Sequence, residues 1–193
     1  MLKIAILGDI GSGKSYISKQ FGYPVFNADD EVAKIYKKNK NCFYKLKKKI
    51  PHYISSFPIK KKNISKAIID DEDNLKKIIK IVHPIVRIKM KKFFKKNKKK
   101  KIVILDVPLL IENKLNRNNY ILIFVDSKKK EIIKRLKKRP NFNKKVFNKL
   151  RKTQLPLEIK KRKSNYVIKN NFKKIYIKKT IRMLKNRILE NIK

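Results

Sequence analysis

The chain is short of cysteine, tryptophan, glycine and acidic residues, and each shortage narrows what the protein can be. Of its 193 residues one is cysteine, none is tryptophan and four are glycine. The single cysteine, Cys42, excludes an internal disulfide. No apolar run approaches the roughly 20 residues that span a bilayer. We therefore expect one compact domain that works in a reducing cytoplasm, away from membranes.

Acidic residues are outnumbered, with 14 of them against 56 lysines and arginines, which gives a formal net charge of +42. Such a charge favours disorder or binding to polyanions. The lysines, however, are spread from Lys3 to Lys193 and alternate with isoleucines at helical spacing. The excess of lysine, isoleucine and asparagine, with little glycine and no tryptophan, is what a strongly AT-biased genome would produce. We expect no specific nucleic-acid partner, and only non-specific polyanion binding at low salt.

Three of the four glycines lie in one short run, residues 8–15, which reads Gly-Asp-Ile-Gly-Ser-Gly-Lys-Ser. The run fits the phosphate-binding loop pattern G-x-x-x-x-G-K-[ST]. An apolar stretch at 2–7 predicts a strand before it, and residues 14–21 predict a helix after it, whose N-terminus would face phosphates. In such a loop Lys14 reaches the β- and γ-phosphates and Ser15 binds Mg²⁺. The alternative is a chance match in a strand-turn-helix that binds no ligand.

Further apolar runs alternate with helical patterns, which predicts a parallel α/β sheet flanked by helices. Strands are predicted at 24–27, 102–106, 120–126 and 166–168, and a last helix at about 173–190. Residues 35–101 contain no convincing strand and predict a helical insert. In it a helix should begin after the four acidic residues 70–73, and Pro84 should kink or divide it. Ser127 is a candidate cap for the helix after the fourth strand.

Acidic residues follow two of the predicted strands, at the edge where a ligand should bind. Asp29 can accept a proton from an attacking hydroxyl, or can simply charge the N-terminus of a helix. Asp106 is placed where phosphate-loop enzymes hold an acid toward Mg²⁺. Glu112 is either an acid that supports this site or a helix-start residue. His52 and His83 are too isolated for a metal site, and no Cys/His spacing supports zinc.

Several stretches together resemble the dephospho-coenzyme A kinase family. They are the phosphate-binding loop, residues 25–29 (Val-Phe-Asn-Ala-Asp), 83–87 (His-Pro-Ile-Val-Arg), 106–113 (Asp-Val-Pro-Leu-Leu-Ile-Glu-Asn), 154–158 with Lys160, and 166–170. The run 106–113 is the most specific, because phosphate-loop proteins in general do not carry Pro-Leu-Leu-x-Glu there. The resemblance covers residues 4 to about 170.

The resemblance implies a P-loop NTPase-type kinase that moves the γ-phosphoryl group of ATP, with Mg²⁺, to the ribose 3′-hydroxyl of dephospho-coenzyme A. It implies a nucleotide-binding core at about 1–34, 102–133 and 164–193, a helical coenzyme-binding insert at about 35–101 and a lid at about 134–163. Asp29 would be the catalytic base, and Lys14 would stabilise phosphoryl charge. The implied ATP-binding residues are Gly11, Ser12, Gly13, Lys14, Ser15, Tyr16 and Arg139; the substrate-binding residues are His83, Arg87, Pro108, Leu109 and Glu112; and the Mg²⁺ ligands are Ser15 and Asp106.

The chain also departs from the family pattern. Asn27 replaces the first acid of Asp-Ala-Asp, and Tyr16 replaces a usual threonine. Asp9 replaces a usual glycine and would weaken ATP binding if its carboxylate pointed at the phosphates. A glycine expected near the final asparagine motif is also replaced, with Phe172 close by.

Two other functions stay open. One is another phosphate-loop small-molecule kinase, such as a nucleoside monophosphate kinase, although the run 106–113 fits the coenzyme enzyme better. The other is a basic nucleic-acid-binding ATPase, which only the net charge favours. We expect a monomer or a small homo-oligomer.

Overall fold

A computed structural model describes residues 1–112, 120–140 and 142–191. They contain a five-stranded sheet in the order β2-β3-β1-β4-β5, in which every neighbouring pair is parallel. The strands are β1 (Leu2–Gly8), β2 (Val25–Asn27), β3 (Ile102–Asp106), β4 (Tyr120–Asp126) and β5 (Tyr166–Lys169). The predicted parallel α/β fold is therefore confirmed.

The inner strands are strongly apolar because both of their faces are covered. All five residues of β3 are buried, and in β1 burial is continuous from Ile4 to Gly8. The register places Ile4 beside Ile104 on one side and Ile121 on the other. These isoleucines belong to a cluster that also includes residues of the first and last helices, so β1 lies at the centre of the sheet with the phosphate loop at its carboxyl end.

Helices lie between the strands and after the last one, and they make up most of the rest of the described chain. They are α1 (Lys14–Gln20), α2 (Ala28–Lys38), α3 (Lys40–Lys49), α4 (Lys61–Asp70), α5 (Glu72–Lys96), α6 (Lys129–Lys137), α7 (Lys144–Lys152), α8 (Leu157–Arg162) and α9 (Lys174–Glu190). None of the helices in the described ranges is long and apolar enough to cross a membrane.

The chain forms two compact units. The first unit, residues 1–27, 97–139 and 154–193, contains the sheet. The second unit, residues 28–96 and 140–153, is helical and has its own core, in which Cys42, Leu46 and Ala67 are fully buried. Two residues of α7, Val146 and Leu150, pack against that core. The division into nucleotide-binding core, coenzyme-binding insert and lid remains a functional prediction.

Two expectations about α5 need correction. The helix runs without interruption from Glu72 to Lys96 with Pro84 inside it, so the proline does not divide it. Burial of its apolar face, which includes Leu75, Ile78 and Val82, outweighs the hydrogen bond that proline cannot donate.

The four acidic residues do not start one helix together. Asp70 is the last residue of α4, and Asp71 follows it in an extended conformation. The Asp71 carboxylate accepts a hydrogen bond of 2.9 Å from the amide of Asp73 in the first turn of α5. The first two acids therefore end one helix and connect to the next.

Ser127 does not cap α6. The residue at the N-cap of that helix is Lys128, which makes no side-chain capping bond. The Ser127 hydroxyl instead donates a hydrogen bond of 3.0 Å to the carbonyl oxygen of Ser12, in the phosphate loop.

Candidate active site

The phosphate loop joins the end of β1 to the start of α1. Gly13 is the N-cap of α1 and has a φ of 93°, a backbone conformation that other residues rarely adopt. A Cβ atom at this position would lie 2.5 Å from Nδ2 of Asn170. Glycine is required at position 13 for both its conformation and its lack of a side chain, as the motif predicts.

Two side chains from other strands hold the loop in place. The carbonyl oxygen of Ser12 accepts hydrogen bonds from Oγ of Ser127 at 3.0 Å and from Nδ2 of Asn170 at 2.7 Å. Oδ1 of Asn170 in turn accepts a hydrogen bond of 2.8 Å from the amide of Phe172. Ser127 follows β4 and Asn170 follows β5, so the loop is tied to two strand ends and is shaped before a ligand binds. Neither residue is among the predicted ATP-binding residues.

The Lys14 side chain is folded over the loop and is 8% exposed. Its ammonium group donates hydrogen bonds to the carbonyl oxygens of Asp9, at 2.7 Å, and Gly8, at 3.2 Å. Oδ1 of Asp9 accepts a hydrogen bond of 2.8 Å from the amide of Ile10. The Asp9 carboxylate therefore bonds to the loop's own backbone.

The two predicted Mg²⁺ ligands are in contact. Oγ of Ser15 donates a hydrogen bond of 2.5 Å to Oδ2 of Asp106. Nδ2 of Asn27, whose residue is paired with Asp106 in the sheet register, donates to the same oxygen at 2.8 Å and to Oγ of Ser15 at 3.3 Å. Asn27 is not among the predicted site residues, although its place at the end of β2 could have identified it.

Mg²⁺ fits this arrangement. The ion prefers oxygen ligands and is commonly held by one or two carboxylates together with substrate phosphates. One carboxylate and one hydroxyl lie side by side at the start of α1, where phosphates would bind. In the part of the chain that the structure describes, three or more His, Cys, Asp or Glu side chains do not gather into a metal-binding group. The site thus suits an ion that phosphates help to hold.

The turn after β3, residues 108–112, carries three of the predicted substrate-binding residues. Pro108 and Leu109 are partly exposed, whereas Glu112 forms an ion pair of 2.8 Å with Lys160, whose side chain is 1% exposed. Oε1 of Glu112 also accepts a hydrogen bond of 2.9 Å from the amide of Leu155. Asn113, the last residue of the run that resembles the family, lies outside the described residues.

The C-terminal end of α6 carries two arginines. Arg139, the predicted ATP-binding residue, is exposed just beyond the helix, and its amide donates to the carbonyl oxygen of Leu136 at 3.0 Å. The guanidinium of Arg135 lies 4.5 Å from the ring centroid of Phe172, within the range of a cation–π interaction. Phe172 has a φ of 62°, a left-handed conformation that favours glycine. This is consistent with the glycine expected near this position.

The remaining predicted site residues need separate description. Tyr16 is exposed in the first unit, in the first turn of α1. Asp29, His83 and Arg87 belong to the second unit. Asp29 is exposed in the first turn of α2, which begins directly after Asn27. His83 and Arg87 are four residues apart on α5 and so share one face of that helix.

Comparison with known proteins identifies the family. The family model of dephospho-CoA kinase matches residues 2–175. The chain is 31% identical over 179 residues to the dephospho-CoA kinase of Wolbachia pipientis wMel, covering 90% of this chain and 91% of that one. It is 32% identical over 170 residues to the enzyme of Bartonella quintana, covering 86% and 87%.

Solved structures share its fold. The dephospho-CoA kinase from Campylobacter jejuni aligns with a TM-score of 0.68 and 19% identity, covering 99% of this chain and 98% of that one. Shikimate kinase from Acinetobacter baumannii aligns with a TM-score of 0.54 and 15% identity, covering 99% and 94%. With the family model matching most of its length and a glycine loop, a Ser15–Asp106 pair and a Pro-Leu-Leu-x-Glu turn in the expected order, the chain belongs to the dephospho-CoA kinase family.

Proposed function

We propose that this protein transfers the γ-phosphoryl group of ATP to the ribose 3′-hydroxyl of dephospho-coenzyme A, which yields coenzyme A and ADP. The observation that carries the proposal is the Ser15–Asp106 contact beside a phosphate loop that the ends of β4 and β5 already hold in shape. Family membership supplies the acceptor, and the loop supplies the means of binding ATP.

The triphosphate would bind against the loop amides and the N-terminus of α1. Lys14 now donates to two loop carbonyls, and on binding its ammonium would exchange them for phosphate oxygens. In this proposal the exchange takes place by rotation of the Lys14 side chain. The positive charge would then stabilise the phosphoryl group as it moves.

Ser15 and Asp106 would hold Mg²⁺, with Asn27 fixing the orientation of the Asp106 carboxylate. When bound, the ion neutralises charge on the β- and γ-phosphate oxygens. The amide of Asn27 gives Asp106 a hydrogen bond and adds no charge, so the chain contributes one carboxylate here.

Asp29 is the base in this proposal. It lies two residues beyond Asn27, in the first turn of α2, and its carboxylate is exposed. It would accept the proton of the 3′-hydroxyl as that oxygen bonds to phosphorus. The helical second unit would bind the coenzyme, with His83 and Arg87 on α5 contributing to it, and Arg139 would approach ATP from the lid.

The proposal is tested by steady-state ADP release from Mg-ATP, with and without dephospho-coenzyme A, using nucleoside monophosphates as control acceptors. We expect ADP release from Mg-ATP when dephospho-coenzyme A is the acceptor and none with the control acceptors. In Asp29→Asn, kcat should fall by about a hundredfold or more. Asp30→Asn is the matched control, since Asp30 is exposed in the same helical turn, and it should keep most of the activity.

Each other result has a definite meaning. Turnover with a nucleoside monophosphate as acceptor would show that the protein is the alternative enzyme, a nucleoside monophosphate kinase. An active Asp29→Asn variant would leave the substrate correct and the base wrong. If the protein binds ATP but releases no ADP with either acceptor, the proposed activity is refuted.

A further inference from the structure

Lys160 is a buried lysine that the proposed reaction does not use. Its side chain is 1% exposed, and its ammonium group has three oxygen neighbours in the described ranges. They are Oε1 of Glu112 at 2.8 Å, Oε1 of Gln154 at 2.8 Å and the carbonyl oxygen of Pro108 at 3.4 Å. These four residues are called the Lys160 cluster below. An ammonium group has three protons, so it can donate one hydrogen bond to each of these three oxygens.

Burial of this ion pair is weak support for stability. Removing a lysine and a carboxylate from water costs several kcal/mol per ion, and apolar residues of similar volume often replace such a pair without loss. Oε2 of Glu112 is buried and has no hydrogen-bond partner among the described residues, so this carboxylate is only partly satisfied. The burial of this ion pair is therefore better explained by the geometry that it fixes than by a gain in stability.

The cluster connects both ends of one turn to Gln154. Pro108 begins the turn after β3 and Glu112 ends its described part, while Lys160 contacts both. Gln154 is the first residue of the first unit after residues 140–153, and the amide of Leu155 bonds to Glu112. A single ammonium group thus sets the span of the turn and fixes it to the point where the chain re-enters this unit.

The turn lies on one side of the sheet edge. β3 and β2 lie on one side of β1, whereas β4 and β5, whose ends hold the phosphate loop, lie on the other. In the proposed function the acceptor would meet Asp29, which follows β2 in the chain, and the Mg²⁺ ligand Asp106, which ends β3. Pro108 and Leu109, which are partly exposed on the turn that follows Asp106, would be the residues that contact the acceptor.

We propose that Lys160 is a positioning residue for the acceptor: it holds the 108–112 turn in the shape that binds dephospho-coenzyme A. The inference rests on the proposed function. It predicts that loss of Lys160 weakens use of dephospho-coenzyme A far more than use of ATP, because the phosphate loop has separate supports.

The test compares Lys160→Met with Lys161→Met. Lys161 is the adjacent lysine, is 41% exposed and pairs with Asp126 at 3.1 Å, so it matches the change in charge and size at a residue outside the Lys160 cluster. For Lys160→Met we expect KM for dephospho-coenzyme A to rise by about tenfold or more, because small misplacements of positioning groups have effects of this size. KM for ATP should stay within about twofold, and Lys161→Met should change neither.

A double variant separates positioning from stability. Among the described residues, Lys160→Met alone leaves the buried Glu112 carboxylate with one donor, the amide of Leu155, so this variant should also have a lower urea midpoint. Glu112→Gln with Lys160→Met removes both charges and should recover much of that midpoint. We expect KM for dephospho-coenzyme A to remain raised in the double variant, because the contact between the ends of the turn is still missing.

Calorimetric titration of dephospho-coenzyme A and of ATP completes the experiment without depending on turnover. If the unaltered chain binds no dephospho-coenzyme A, the proposed function fails. If the unaltered chain and the double variant bind it equally, or if Lys160→Met weakens ATP and acceptor by the same factor, the positioning role is overturned while the function stands.

Discussion

Replacing Asn170 by alanine should loosen the phosphate loop, and the structure sets the size of the effect. The Asn170 side chain is buried and makes two hydrogen bonds, to the carbonyl of Ser12 at 2.7 Å and from the amide of Phe172 at 2.8 Å. A typical hydrogen bond contributes about 1 kcal/mol, and a buried polar group left without a partner costs about 1–3 kcal/mol. Ser12 keeps its bond from Ser127, so the main orphan is the Phe172 amide. We expect the free energy of unfolding to fall by about 2–3 kcal/mol.

Urea unfolding measures this change, and the neighbouring asparagine is the control. Asn171 is exposed, and the one hydrogen bond of its side chain within the described part of the chain is local, 3.0 Å from the amide of Lys173 to Oδ1. Asn171→Ala should therefore change the free energy of unfolding by no more than about 0.5 kcal/mol. In a thermal melt the larger loss corresponds to about 2–4 °C for each kcal/mol in a chain of this length.

The same variant should bind ATP less tightly. Without Asn170, the Ser12 carbonyl loses one of its two described hydrogen bonds and keeps the one from Ser127, after β4. ATP must then order the loop as it binds, and this cost makes the free energy of binding less favourable. Calorimetric titration below the unfolding transition should give a weaker dissociation constant for Asn170→Ala than for Asn171→Ala. Equal stability and equal ATP affinity in the two variants would refute the view that Asn170 preorganises the loop.

Two further predictions concern pH and salt. Burial raises the pKa of the Cys42 thiol to about 11 from an ordinary value of 9.0. The stabilising contribution of the protonated thiol is therefore complete below pH 9 and is lost as the pH rises toward 11. Urea midpoints of the unaltered chain should fall more steeply over this range than those of Cys42→Ala, and parallel slopes would contradict this prediction. Because a net charge of +42 repels itself and salt screens such repulsion over about 8 Å at physiological ionic strength, the melting temperature should rise with added salt, and a melting temperature indifferent to salt would show that the charges are already balanced locally.

Much of the fold could be predicted because local patterns determine it. β3 and β4 have the predicted bounds, since an unalternating apolar run that must be covered on both faces has few other structures open to it. The loop was equally readable, because its glycines are required by the backbone itself. Helix α5 differs from the sequence prediction in two respects: only two of the four acids at 70–73 lie in it, and Pro84 does not divide it, because packing along the apolar face outweighs these local signals.

The contacts that complete the site could not be predicted in this way. Asn170 and Ser12 are 158 residues apart, and Ser15 and Asp106 are 91 apart. Periodicity says nothing about which strand ends meet, so Ser127 was interpreted as a helix cap and Lys160 carried no assigned role. Only the register of the sheet places Asn27 beside Asp106 and makes their interaction visible.

Phe172 shows how this chain accommodates a departure from its family. A phenylalanine in the left-handed region costs roughly 1 kcal/mol or more, which a glycine would not. Its backbone is nevertheless fixed there, because its amide donates to Oδ1 of Asn170. The ring, lying under the Arg135 guanidinium at 4.5 Å, regains part of the cost as a cation–π contact worth about 0.5–1 kcal/mol.

Asn27 represents a change of a different kind, since it alters charge and leaves the geometry in place. An aspartate at this position would set a second carboxylate against Oδ2 of Asp106, and the two would repel unless a cation lay between them. The amide instead donates to that oxygen at 2.8 Å, so the edge of the sheet is held together without any ion. In the proposed site Mg²⁺ would be held by Asp106, Ser15 and the phosphates of ATP, so we expect the ion to enter together with the nucleotide rather than before it.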